Sequence, residues 1–84
     1  MKAIKAETLE QQIKVLEKLE SEGYRWMEGQ LPTDYIPCIN TGPEFHYIKI
    51  DENYKHLRTR HILQEDDVEI TYQQFRKKHK KVIL

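Results

Sequence analysis

Cysteine occurs once in this 84-residue sequence, at Cys38, which excludes an intrachain disulfide and a thiolate metal cluster. A lone thiol suits a reducing compartment. Serine also occurs once, at Ser21, in what reads as the last turn of a helix, a poor setting for a nucleophile that needs a neighbouring base. The three glycines, Gly23, Gly29 and Gly42, are too far apart to make a phosphate-cradling loop. No apolar run approaches the length of a membrane span, and the opening Met1-Lys2-Ala3-Ile4-Lys5 lacks the hydrophobic stretch of a signal peptide. The expectation is a cytoplasmic protein without membrane partners.

What is present fits one domain, residues 1–84, with a thin core. Folding at this size removes only roughly 60% of the unfolded chain's surface from water. Hydrophobic residues make up 38% and charged residues 33%, so supplementary burial through a homodimer is an expectation. Net charge is zero, which argues against a surface devoted wholly to nucleic acid. The charges are unevenly spread. Residues 1–52 carry ten acidic and six basic side chains, and residues 53–84 carry four acidic and eight basic. One pole is therefore basic.

The pattern predicts an α+β fold: an N-terminal helix packed on a three- to five-stranded antiparallel sheet, with a short C-terminal helix. Lys2 to Lys5 alternates like an edge strand. Thr8-Leu9-Glu10-Gln11 has the spacing of a capping box, in which Gln11 reaches back to the Thr8 amide. Leu9, Ile13, Leu16 and Leu19 then recur at helical spacing, with Val15 widening the stripe. Gly23 suits the left-handed residue that ends the helix, and Tyr24 suits the apolar contact back to Leu19. Tyr24 to Met27 reads as a strand, residues 30–35 as a loop, and Ile36-Pro37-Cys38-Ile39 as a short edge strand. Asn40-Thr41-Gly42-Pro43 is turn chemistry. Residues 45–50 and 54–60 form a hairpin. Val68 to Ile70 is a strand, and Thr71-Tyr72-Gln73-Gln74 is a second capping box, opening a helix to about Lys80. Val82-Ile83-Leu84 is an apolar ending expected to be held by its own sheet or by a neighbouring subunit.

Catalytic constellations do not emerge. His46, His56, His61 and His79 lack the spacing of a zinc site, and the carboxylates of Asp51, Glu52, Asp66 and Asp67 lie in turns. A non-enzymatic protein without cofactor or metal is expected. The basic residues offer more. Along residues 55–60 alternate side chains share a face, which groups His56, Arg58 and Arg60. Arginines in such a row meet phosphate bidentately. Tyr24 and Trp26, also two apart, suggest an aromatic platform for bases, although Trp26 suits the core better than a platform.

Residues 8–22, then Gly23, Tyr24, Trp26 and Gly29, and finally Ile70, Thr71, Tyr72 and Phe75 form a pattern. It resembles that of small accessory proteins of bacteriophages and prophages in Gram-positive hosts. The resemblance covers about half the chain in scattered positions. It implies a protein of the host-cell cytoplasm that acts by binding, to a host or phage protein. The alternative is a nucleotide- or nucleic-acid-binding protein that uses His56, Arg58 and Arg60 with Tyr24 or Trp26.

Overall fold

The computed structural model describes residues 1–42, 47–60 and 62–79. The elements follow in the order β1 (Lys2–Lys5), α1 (Leu9–Ser21), β2 (Arg25–Trp26), a 3-10 turn (Pro32–Asp34), α2 (Pro37–Asn40), β3 (Tyr47–Asp51), β4 (His56–Arg60), β5 (Val68–Thr71) and α3 (Tyr72–His79). Phe45, His46, His61 and the apolar ending Val82-Ile83-Leu84 lie outside the described residues.

Both ends of α1 form as the sequence predicts, with one change. Thr8 Oγ1 accepts from the Gln11 amide at 3.1 Å, but the Gln11 side-chain Oε1 accepts from the Glu7 amide rather than that of Thr8. At the C-terminus Tyr24 N–H donates to Leu19 O and Gly23 N–H to Glu20 O, the two bonds of a Schellman motif. Gly23 has φ +91°, a conformation that side-chain-bearing residues rarely adopt. The buried stripe is rotated from its expected position. Gln12, Val15, Leu16 and Leu19 face inward, while Leu9 is 41% exposed.

The sheet corrects the expectation of a purely antiparallel array. Its order is β2-β4-β3-β1-β5, with β3 antiparallel to β1 and β4, but β1–β5 and β2–β4 parallel. The cause is a pair of crossover connections, which join parallel strands. From β1 the chain passes through α1 and returns as β2, with β3 and β4 lying between the two strands. From β4 it passes over the opposite face to β5. Among the described strands only β3–β4 form a hairpin.

Two further expectations fail for local reasons. The predicted strand over residues 36–39 is the helical turn α2, with Pro37 at its first position, where a missing N–H costs nothing. The Asn40 side chain accepts from the Ile36 amide and closes that turn. The strand expected over residues 24–27 shrinks to Arg25–Trp26. Trp26 N–H donates to Gln30 O and Trp26 O accepts from Gly29 N–H, so a tight turn takes both of its backbone groups.

The core lies between the sheet and the two helices α1 and α3. Ile4, Ile48, Ile50 and Leu57 from the sheet meet Val15, Leu16, Leu19, Tyr24, Trp26 and Phe75. Alternation places Ala3, Lys49 and Arg58 on the other face. There the segment 62–67 is tied to β3. The Lys49 ammonium lies 2.5 Å from Asp67 Oδ2 and donates to Gln64 Oε1 at 3.1 Å, with both charged side chains almost fully buried.

Candidate functional site on the free edge of β4

β4 has Leu57 in the core, so His56, Arg58 and Arg60 share the face turned away from the helices. In register across β3 they stand beside Asp51, Lys49 and Tyr47. The two halves of this outer face differ in charge balance. Toward β1 and β5, Lys49 is neutralised by Asp67, Tyr47 donates its phenol to Glu69 at 3.0 Å, and Lys5 lies 4.0 Å from Glu69. Burial, then the Glu69 hydrogen bond, raises the Tyr47 phenol above its ordinary range. The bond to the Lys49 ammonium, then the Gln64 amide, holds the Asp67 carboxyl below its usual value.

Toward β2 the balance is positive. Among the described residues, Arg58 and Arg60 have no carboxylate within ion-pair distance. The Arg60 guanidinium donates to its neighbour's carbonyl, Thr59 O, at 2.7 Å. Arg58 Nε is buried and has no hydrogen-bond partner among the described residues. An orphaned buried donor costs about 1–3 kcal/mol, so such groups call for an explanation. Arg25, paired with His56 in register, donates to Tyr24 O and helps hold the Glu20 carboxyl low, after the two hydrogen bonds that Glu20 accepts from Thr33.

The free edge is a consequence of the short β2. It pairs with His56 and Leu57 and then turns away, leaving residues 58–60 without a strand partner on that side among the described residues. A cleft of about 440 Å³ lies there. Trp26 and Tyr35 form its aromatic wall, edge to face with centroids 5.6 Å apart. Trp26 is fixed by the hydrogen bond from Nε1 to Pro32 O, at 3.1 Å. Met27, Glu28 and Gln30 are exposed along the rim, opposite Arg58 and Arg60.

Of the residues singled out in the sequence, His56, Arg58 and Arg60 are thus brought together. Tyr24 and Trp26 are not on their face: both rings are buried on the core side, 5% and 6% exposed. Tyr24 carries the Lys55 ammonium 4.7 Å above its ring, whereas Trp26 lines the cleft. The exposed aromatic residue near the arginines is Tyr54, 74% exposed and stacked on His56 at 6.2 Å. Its spacing of two from His56 was a readable signal. Tyr35 had none, because the 3-10 turn that swings it against Trp26 depends on tertiary bonds to Glu20. Among the described residues no three His, Cys, Asp or Glu side chains gather as metal ligands, and no helix is long and apolar enough to cross a membrane. Comparisons with protein-family models, with curated proteins and with solved structures gave no match for this chain.

Proposed function

We propose that this protein acts by binding rather than by catalysis, and that its ligand carries phosphate, as a nucleotide or nucleic acid does. One observation carries this reading: Arg58 and Arg60 stand on one strand face with no carboxylate partner among the described residues, beside a cleft with an aromatic wall. Guanidinium groups two residues apart on a strand are about 6.8 Å apart along the chain, and each takes a phosphate or carboxylate side-on. Surface arginines are ordinarily offset by acidic neighbours, as Lys49 and Lys5 are here.

The test is a binding titration with pyrophosphate and with a short oligonucleotide at several salt concentrations. Binding is expected at low salt. For the oligonucleotide the logarithm of affinity should fall with the logarithm of salt at a slope of about −1.4 for two phosphate contacts. The double variant Arg58→Gln/Arg60→Gln should lose most of the affinity for both probes. No binding of either probe at low salt would refute the reading.

A protein partner, the reading implied by the phage-like pattern, is favoured by a separate observation. Met27, Leu31 and Ile39 are exposed along the segment between β2 and β3. In a phage or prophage accessory protein they would meet a host or phage protein. That reading predicts that substituting Leu31 and Ile39, which do not line the cleft, by Ser weakens a partner's binding without altering pyrophosphate affinity.

A further inference from the structure

We infer that the cleft at the free edge of β4 is a nucleoside pocket, so that the ligand is a single small nucleotide with its base against Trp26 and Tyr35 and its phosphate on Arg58 and Arg60. This rests on the phosphate-binding reading and narrows it from polymers to monomers.

Four observations lead here. The first is extent. Of the basic residues on the described outer face, Lys49 and Lys5 are already paired with Asp67 and Glu69, so the arginines do not continue into a basic track across the sheet. A polymer leaving Arg58 and Arg60 in that direction meets Glu69 and Asp67, whereas a monomer needs no path. The second is size. About 440 Å³ falls within the range of small-ligand sites, roughly 300–1,000 Å³.

The third is wall chemistry. A base is flat, apolar on its faces and polar at its edge. Trp26, anchored through Pro32, and Tyr35 supply a rigid apolar wall, and Gln30 on the rim offers both a donor and an acceptor to the base edge. The strand contributes as well. Lys55 O accepts from Arg25 N–H, so by alternation the backbone of residues 57 and 59 points toward β2, and at Thr59 that neighbour has gone. The Thr59 N–H is thus aimed at the cleft. The fourth is charge: Arg58 and Arg60 both line the cleft, and neither has a carboxylate within ion-pair distance among the described residues.

Trp26 is the sole tryptophan and lines this cleft, so its fluorescence responds to a ligand seated there. Titrations with adenosine monophosphate, cytidine monophosphate, pyrophosphate and a short oligothymidylate separate the outcomes. We expect at least one mononucleotide to change Trp26 emission saturably, and pyrophosphate to compete without reproducing the change. Arg58→Gln should weaken the mononucleotide by about tenfold or more, with Arg58→Lys intermediate because it keeps the charge but loses the fork. Tyr35→Ala should weaken the mononucleotide while sparing pyrophosphate. If pyrophosphate or the oligothymidylate binds at Arg58 and no mononucleotide moves Trp26, the pocket is refuted while phosphate binding stands. If none of the four probes binds at low salt, both fall.

Discussion

The Gln12 side chain donates to the Ala6 carbonyl at 3.0 Å and accepts from the Cys38 amide at 2.8 Å, so one residue joins the end of β1, the first turn of α1 and the start of α2. It is fully buried, and both backbone groups it serves lack a helical or ladder partner of their own. Leucine has a similar volume and satisfies neither. Gln12→Leu is therefore expected to cost about 2 kcal/mol or more, since each orphaned buried group costs roughly 1–3 kcal/mol. Urea denaturation should show this as a lower midpoint with an unchanged slope. Gains from the added apolar area would have to exceed that penalty for the variant to be neutral, and a neutral result would refute the bridging role. Nothing in the sequence announces this residue. In the stripe Leu9, Ile13, Leu16, Leu19 it reads as part of the polar face, because its partners are brought in by the fold, 6 and 26 positions away.

At the scale of elements, what was legible is what is local. The caps of α1 and α3 use side chains three or four residues from the backbone groups they bind: Gln74 and Thr71 exchange two bonds at 2.9 and 3.1 Å. The Schellman turn at Gly23 follows from one glycine and one aromatic residue. That position is a sharp test, because a Cβ there would meet no atom within 4 Å, which leaves backbone conformation as the only cost. Gly23→Ala should destabilise by about 1–2 kcal/mol, the cost of a left-handed L-residue. Thermal unfolding of the variant reads it directly, and an unchanged midpoint would refute the assignment. The elements that were misread turn on bonds that are just as local, but that the residue types leave open. Pro37 suits a strand edge or a helix start equally well, and Asn40, which closes the turn, decides for the helix. The strand over 24–27 was cut short by Gln30, whose carbonyl takes the Trp26 amide. That loss exposes the edge of β4. The arginine row was legible from period two alone, whereas the cleft beside it was not.

For the whole molecule the decisive feature is the route from β4 to β5 across the outer face, which makes the sheet mixed and lays residues 62–67 over β3. Sequence gives no hint of it, since Glu65-Asp66-Asp67 looks like a solvated acidic loop and Lys49 like the polar position of a hairpin. The fold instead buries Lys49 against Asp67, a pairing 18 positions apart, and the Gln64 amide donates to the same carboxylate at 2.8 Å. Removing one partner of a buried pair leaves an uncompensated charge, whereas removing both does not. Lys49→Met and Asp67→Asn should each destabilise the protein more than the double variant does, because asparagine keeps an acceptor for Gln64 and carries no charge to strand. Additive effects in that cycle would show that the pair does not pin the crossover. The same pair sets the response to acid. Asp67 and Glu20 both have folded-state carboxyls below their unfolded values near 3.8 and 4.5. Their stabilisation is thus fully present above the unfolded values and is lost as pH falls through the folded ones. Urea midpoints should stay level from neutrality to about pH 5 and fall below it. In Asp67→Asn the fall should be shallower, with Glu20 and its Thr33 bonds supplying part of what remains. Because Lys49 lies in register beside Arg58, loosening the crossover also frees a third cation next to the arginines. The Asp67→Asn variant is therefore expected to bind pyrophosphate more tightly than the parent protein at neutral pH.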